Sequence, residues 1–174
     1  MLYRLLGELP TALAQFFQFA LICAVMGAIM FVVGELMPRR NLDPDSFPFR
    51  SFGWERSGEA YHALGIQRWK DRVPDMSKHV KWVFAKKITS YRDPEYLLHL
   101  IRETCVAEVV HEALVLLSPV YLVLLDGIYG VVFALLYALG NVPFILIQRY
   151  NRPRLVQLRE RQLALARRRA NAAM

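Results

Sequence analysis

The chain has 174 residues, room for one domain, and is 55% hydrophobic while carrying 22 Lys and Arg against 15 Asp and Glu, a net charge of +7. Apolar and charged residues fall into separate blocks, which excludes an ordinary soluble domain and leaves an all-α integral membrane protein of about three transmembrane helices. Two cysteines, Cys23 and Cys105, are too few for a disulfide framework or a cysteine metal cluster.

The first element is predicted over 11–37. Thr11–Gly34 contains no charged residue. As a helix it reaches about 36 Å, enough for a hydrocarbon core of roughly 30 Å. It is too long for the apolar region of a cleaved signal peptide, and Glu35-Leu-Met-Pro38-Arg-Arg offers no small-residue cleavage site. Residues 38–93 are expected to be cytoplasmic and interfacial, broken by Pro38, Pro44, Pro48 and Pro74. Ser57 is a candidate N-cap for a short helix ending at Gly65. Lys78–Lys87 mixes cations with Trp82, Val83 and Phe84, as a segment in the headgroup layer would, although a solvated basic loop has the same composition.

A long helix is predicted over 94–125, with Asp93 as N-cap, Pro94 at the first position and Glu95 in the first turn. Its uncharged part, Ala113–Leu125, is too short to span alone. The span must therefore take in Glu108, His111 and Glu112, with a kink at Pro119. Asp126-Gly127 reads as a tight turn, and a third span follows over 128–148. The basic tail 149–174 holds eight Arg and one acid, and the segment 39–102 holds 13 Lys and Arg. The positive-inside rule then places the N-terminus outside and the C-terminus in the cytoplasm of a cell membrane, as one membrane domain over 1–174.

Ionisable groups within a span are costly and usually functional. Counted inward from the turn, His111 and Asn141 lie about 20 Å deep and Glu108 about 26 Å deep. The predicted pocket has Glu108 at its cytoplasmic end, His111 and Asn141 higher up, and a rim of Gln148, Arg149, Asn151, Arg152 and Arg154. Glu108 and His111 stand at i, i+3 on one helix face, where a carboxylate orients an imidazole and raises its basicity. A structural pair bracing the hairpin is the other reading. The basic rim suits an anionic head, since guanidinium forks bind phosphate and carboxylate bidentately. A di-iron site would need two Glu-x-x-His motifs and two further Glu; one motif is present, so no metal and no cofactor is expected. Arg167-Arg-Arg169 accompanies no nucleic-acid-binding pattern and reads as a membrane-facing anchor.

Three motifs occur in order: Tyr61-x-x-Leu-Gly-Ile-x-x-Trp69-Lys70-Asp71-x-x-Pro74, then Arg102-Glu103-Thr104-x-x-Ala107-Glu108-x-x-His111, then Asn141-x-Pro143-x-x-x-x-Gln148-Arg149-Tyr150-Asn151-Arg152-x-Arg154. Over about residues 54–155 the chain resembles the small membrane family named for glycosyl-4,4′-diaponeurosporenoate acyltransferase. The resemblance implies transfer of a fatty acyl group, from acyl-CoA or a lipid, onto a sugar hydroxyl of a glycolipid or glycosylated carotenoid-like acceptor. On that reading His111 is the general base oriented by Glu108, and Glu103 stands near the cytoplasmic mouth. Asn141 or Arg149 stabilises the oxyanion, and Trp69-Lys70-Asp71 forms a lid or donor-head contact. Membrane lipids are expected partners. The alternative from another class is a non-catalytic membrane subunit whose polar hairpin binds lipid or a partner protein within a complex.

Overall fold

The computed structural model describes residues 11–73 and 93–173, apart from the side chains of Arg56, Ser57 and Asp71. The Lys78–Lys87 segment and Pro74 lie outside these residues. Five α-helices occur in the described chain: α1 (Thr11–Leu36), α2 (Ile66–Trp69), α3 (Pro94–Leu117), α4 (Val120–Leu124) and α5 (Gly127–Ala172), with short 3-10 turns at Arg39–Asn41, Gly53–His62 and Lys70–Arg72. No strand occurs among the described residues. Among the described residues, three stretches are long and apolar enough to cross a membrane: Thr11–Leu36, Pro94–Leu124 and Gly127–Ala172. The chain is an all-α membrane protein.

Local chemistry explains the helix limits. Asp93 caps α3, its Oδ1 accepting from the Glu95 amide at 2.9 Å, and Pro94 occupies the position where a missing N–H costs nothing. Pro119 separates α3 from α4, as its lack of a donor requires. The turn at Gly53–His62 starts before Ser57: Glu55 reaches back and accepts from the Phe52 amide at 2.7 Å. The predicted third span and the basic tail lie on one continuous helix: α5, 46 residues long, runs through Pro143 and Pro153. Its Arg-, Leu-, Gln- and Ala-rich second half has high helix propensity, and Tyr150 and Arg152 in that stretch are buried.

The chain forms two compact units. The first takes the residues up to Met37 together with Val109–Pro143. Its core is Tyr121, Leu125 and Ala134, packed with Phe19, Ile22, Cys23 and Met26 of α1 and Phe133 and Tyr137 of α5. Phe19 stacks on Phe133 with ring centroids 4.3 Å apart. Outward, α1 presents Phe16, Phe17, Leu21, Val25 and Ile29, an apolar surface suited to lipid. Gln15 clasps the corner before α5: its Nε2 donates to Asp126 Oδ2 at 2.9 Å and its Oε1 accepts from the Asp126 amide at 3.1 Å.

Gly130 sets how tightly that corner closes. A methyl group there would lie 2.8 Å from the Tyr121 carbonyl oxygen, 3.1 Å from that of Leu125 and 3.2 Å from Leu122 Cα. These are backbone atoms, so relief requires helix displacement. Gly130→Ala is expected to cost about 1–3 kcal/mol, by analogy with overpacking in soluble cores, and to lower the melting temperature in detergent. An unchanged melting temperature would mean that the corner opens freely.

The second unit takes Pro38–Glu108 and the chain from Phe144 onward. Tyr61, Ile66 and Tyr150 form its buried aromatic and aliphatic cluster, with Trp69, Leu146 and Ile147 against it. Gly58, at φ +94°, lets α5 approach: a Cβ would meet Arg154 Nη1 at 3.2 Å and the Tyr150 carbonyl oxygen at 3.4 Å.

Candidate functional site

In the second unit, Glu55, Glu108, Arg149 and Arg152 form an ion network of balanced charge, buried but for part of Arg149. Glu108 is fully buried and Arg152 is 3% exposed. Charges so removed from water persist only when paired and hydrogen-bonded. Glu108 Oε1 accepts from Arg149 Nη1, and Oε2 accepts from Arg152 Nη2. Arg149 also grips Glu55, through Nε to Oε1 and through Nη2 to Oε2 at 3.1 Å. Its remaining N–H bonds go to the carbonyl oxygens of Pro48 and Arg50, both at 3.3 Å, and Phe52 lies under its guanidinium at 4.7 Å. A guanidinium has five N–H donors. Here each has an acceptor inside the chain.

Arg152 is held almost as completely. Its Nε donates to Thr104 Oγ1 at 2.9 Å, Nη1 to the Phe49 carbonyl oxygen at 2.7 Å and Nη2 to the Thr104 carbonyl oxygen at 3.2 Å. Glu55 also accepts from the phenol of Tyr61. Burial raises the Glu55 carboxyl, but hydrogen bonds from Arg149, Tyr61 and the Phe52 amide, with the Arg149 charge, outweigh it and hold the group below the ordinary carboxylate range. Burial, and then the bond to Glu55, push the Tyr61 phenol up. The pattern joins all three motifs of the sequence with Glu55, which the motif reading missed. Its signal was available: an acid three residues after Phe52, at the place where a helix start recruits Glu.

The other candidates in this unit have specific surroundings. Glu103 takes Arg39 in a bidentate pair, at 2.9 Å to Nε and 3.5 Å to Nη2, and stands 3.8 Å from His99 Nε2. Arg154 lies over the Tyr150 ring at 3.5 Å and meets His62 Nε2 at 2.7 Å. Lys70 covers the same ring at 5.5 Å, and Trp69 Nε1 donates to the Leu64 carbonyl oxygen at 3.0 Å. Gln148 and Asn151 are half-buried on α5. The side chain of Asp71 lies outside the described residues. Among the described residues, no group of three His, Cys, Asp or Glu is placed to hold a metal ion.

In the first unit, His111 of α3 meets Asn141 of α5. His111 Nδ1 and Asn141 Oδ1 are 2.8 Å apart, and Asn141 Nδ2 donates to the Tyr137 carbonyl oxygen at 2.8 Å. The second bond sets the amide orientation, because only its NH2 side can donate to a carbonyl. Oδ1 is then an acceptor, so Nδ1 carries hydrogen. In the neutral ring the basic lone pair resides on Nε2. The spacing predicted that Glu108 would orient this imidazole. In the structure each Glu108 oxygen is engaged by an arginine, and an amide supplies the orienting bond to Nδ1.

No solved structure matches the chain. Among curated proteins, the glycosyl-4,4′-diaponeurosporenoate acyltransferase of Staphylococcus aureus strain MRSA252 is 28% identical over 128 residues, covering 72% of this chain and 76% of that protein. Those of strains RF122 and N315 are each 27% identical over the same length. The family with that description matches residues 45–161, which include the ion network and both His111 and Asn141. The chain belongs to the glycosyl-4,4′-diaponeurosporenoate acyltransferase family.

Proposed function

We propose that this protein is a membrane O-acyltransferase that moves a fatty acyl group onto a sugar hydroxyl of a glycolipid or glycosylated carotenoid-like acceptor, with His111 as general base. One observation carries the role of His111: the bond to Asn141, itself oriented by Tyr137, which leaves Nε2 as the basic nitrogen. The acceptor hydroxyl oxygen forms a bond to the acyl carbon while Nε2 takes its proton. The bond from that carbon to the donor sulfur or oxygen then breaks, and the imidazolium returns the proton to the leaving group. Acyl-CoA and an acyl lipid both supply such a donor.

Asn141 is a positioning residue for the imidazole. Glu108, Arg149, Arg152 and Glu55 act together as a neutral clamp, and Glu103 with Arg39 braces the chain after α1. Arg149, with every donor engaged, supports positioning in place of oxyanion binding. Gln148 and Asn151 are the polar side chains of the third motif that supply amide donors and acceptors for sugar hydroxyls. A membrane subunit without catalytic activity is the second reading, favoured by the completeness of that clamp. Mass spectrometry of copurifying lipids separates the two. Wild type should carry an acylated glycolipid and His111→Ala its unacylated form; identical lipids in both would support the subunit reading.

The active face is proposed to be cytoplasmic, on the distribution of Lys and Arg. A cysteine at Asp126 should react with an impermeant maleimide applied outside intact cells, and one at Arg161 should not. The reverse pattern overturns this orientation.

A further inference from the structure

The first unit contains an apolar groove of about 240 Å³ along α4 and α5, lined chiefly by Ser118, Pro119, Leu122, Val131, Ala134 and Ala138. Two features of the sequence create it. Pro119 interrupts the helix on one side, and two alanines one turn apart leave room on the other. Both walls belong to stretches apolar enough to cross a membrane. At such depth the material available to fill a groove is hydrocarbon, since water and polar groups are excluded.

The groove also has a defined relation to the proposed base. Ala138 precedes Asn141 by three residues on the same helix, about 4.5 Å of rise, and Val131 lies roughly 10 Å further toward the Asp126 turn. From these positions we infer that the groove holds the acyl chain being transferred, with its carbonyl end toward His111 and Asn141, and that Ala134, roughly 10 Å of rise from Asn141, sets which chain lengths are accepted. This rests on the acyltransferase reading and adds the subsite for its donor. Selectivity is steric: the surrounding lipid is as apolar as the groove, so fit between chain and wall, not hydrophobicity, distinguishes one chain from another.

The experiment uses the full chain in phosphatidylcholine nanodiscs and a palmitic acid analogue with a terminal diazirine. Photolabelling should concentrate on peptides carrying Leu122, Val131 and Ala134 and be lost in Ala138→Phe. Labelling spread evenly over the lipid-facing sides of α1, α3 and α5 would reveal bulk lipid contact and overturn the groove. In acyl-transfer assays, Ala134→Phe, placed beyond the reach of an octanoyl chain, should lower the ratio of palmitoyl to octanoyl transfer roughly tenfold, within the usual range for apolar pockets. An unchanged ratio also overturns it. Ala134→Val, a smaller intrusion, should shift both readouts in the same direction if either Phe variant does not accumulate. If wild type transfers no acyl group but labelling remains concentrated and sensitive to these substitutions, the enzymatic reading fails and the chain-binding groove stands.

Discussion

Glu108→Gln is expected to destabilise the protein by about 3–5 kcal/mol, the usual cost of removing one partner from a buried ion pair. The substitution preserves the shape and leaves Arg149 with Glu55 but Arg152 without its acid. Arg152 suffers most: it is 3% exposed, and Glu108 is the acid that pairs with it. Small domains are stable by only about 5–15 kcal/mol, so the variant should melt on the order of 10 °C lower in detergent or fail to accumulate. A second substitution makes the cause visible. Arg152→Gln in the same chain leaves Glu55 with Arg149, again neutral, so the double variant should be less destabilised than the two single losses combined. Strict additivity, or a single variant that melts like wild type, would show that the network contributes little to stability.

His111→Ala should leave the melting temperature close to that of wild type while lowering turnover by roughly 10²–10⁴, the range for loss of a positioned general base. The two substitutions stand in different units of the structure, and their signatures differ: Glu108→Gln is read in folding, His111→Ala in chemistry. Asn141→Ala tests the link between the amide and the imidazole. Without the acceptor at Nδ1, the ring is free to change tautomer and to rotate. Turnover should fall less than in His111→Ala, and the acid limb of its pH profile should move. A wild-type profile in Asn141→Ala would remove the positioning role. Full turnover in His111→Ala would remove the base.

How far the site could be read from sequence differs by residue. His111 and Asn141 were placed at one level by counting rise along two apolar stretches, a calculation that needs only helix geometry and an antiparallel turn. The structure brings them to 2.8 Å. Arg149 and Arg152 stood out as basic residues among polar and aromatic neighbours, but their partners did not. Arg149 meets Glu55 across 94 positions and Glu108 across 41, and nothing in local pattern specifies such pairings. The same holds for Gln15, whose side chain clasps Asp126 across 111 positions.

Composition alone determined that this chain enters a membrane and does so as helices. Blocks of more than 20 uncharged residues are stable only in hydrocarbon, and in hydrocarbon the backbone must satisfy its hydrogen bonds internally. The capped start at Asp93, the break at Pro119 and the corner at Asp126-Gly127 followed from side chains acting on their immediate neighbours. Tertiary structure alone decided what the charges do. A guanidinium can serve a ligand or hold the fold, and its identity is the same in both roles. Only the acceptors that packing delivers make the choice, and for Arg149 all five donors are answered from within the chain.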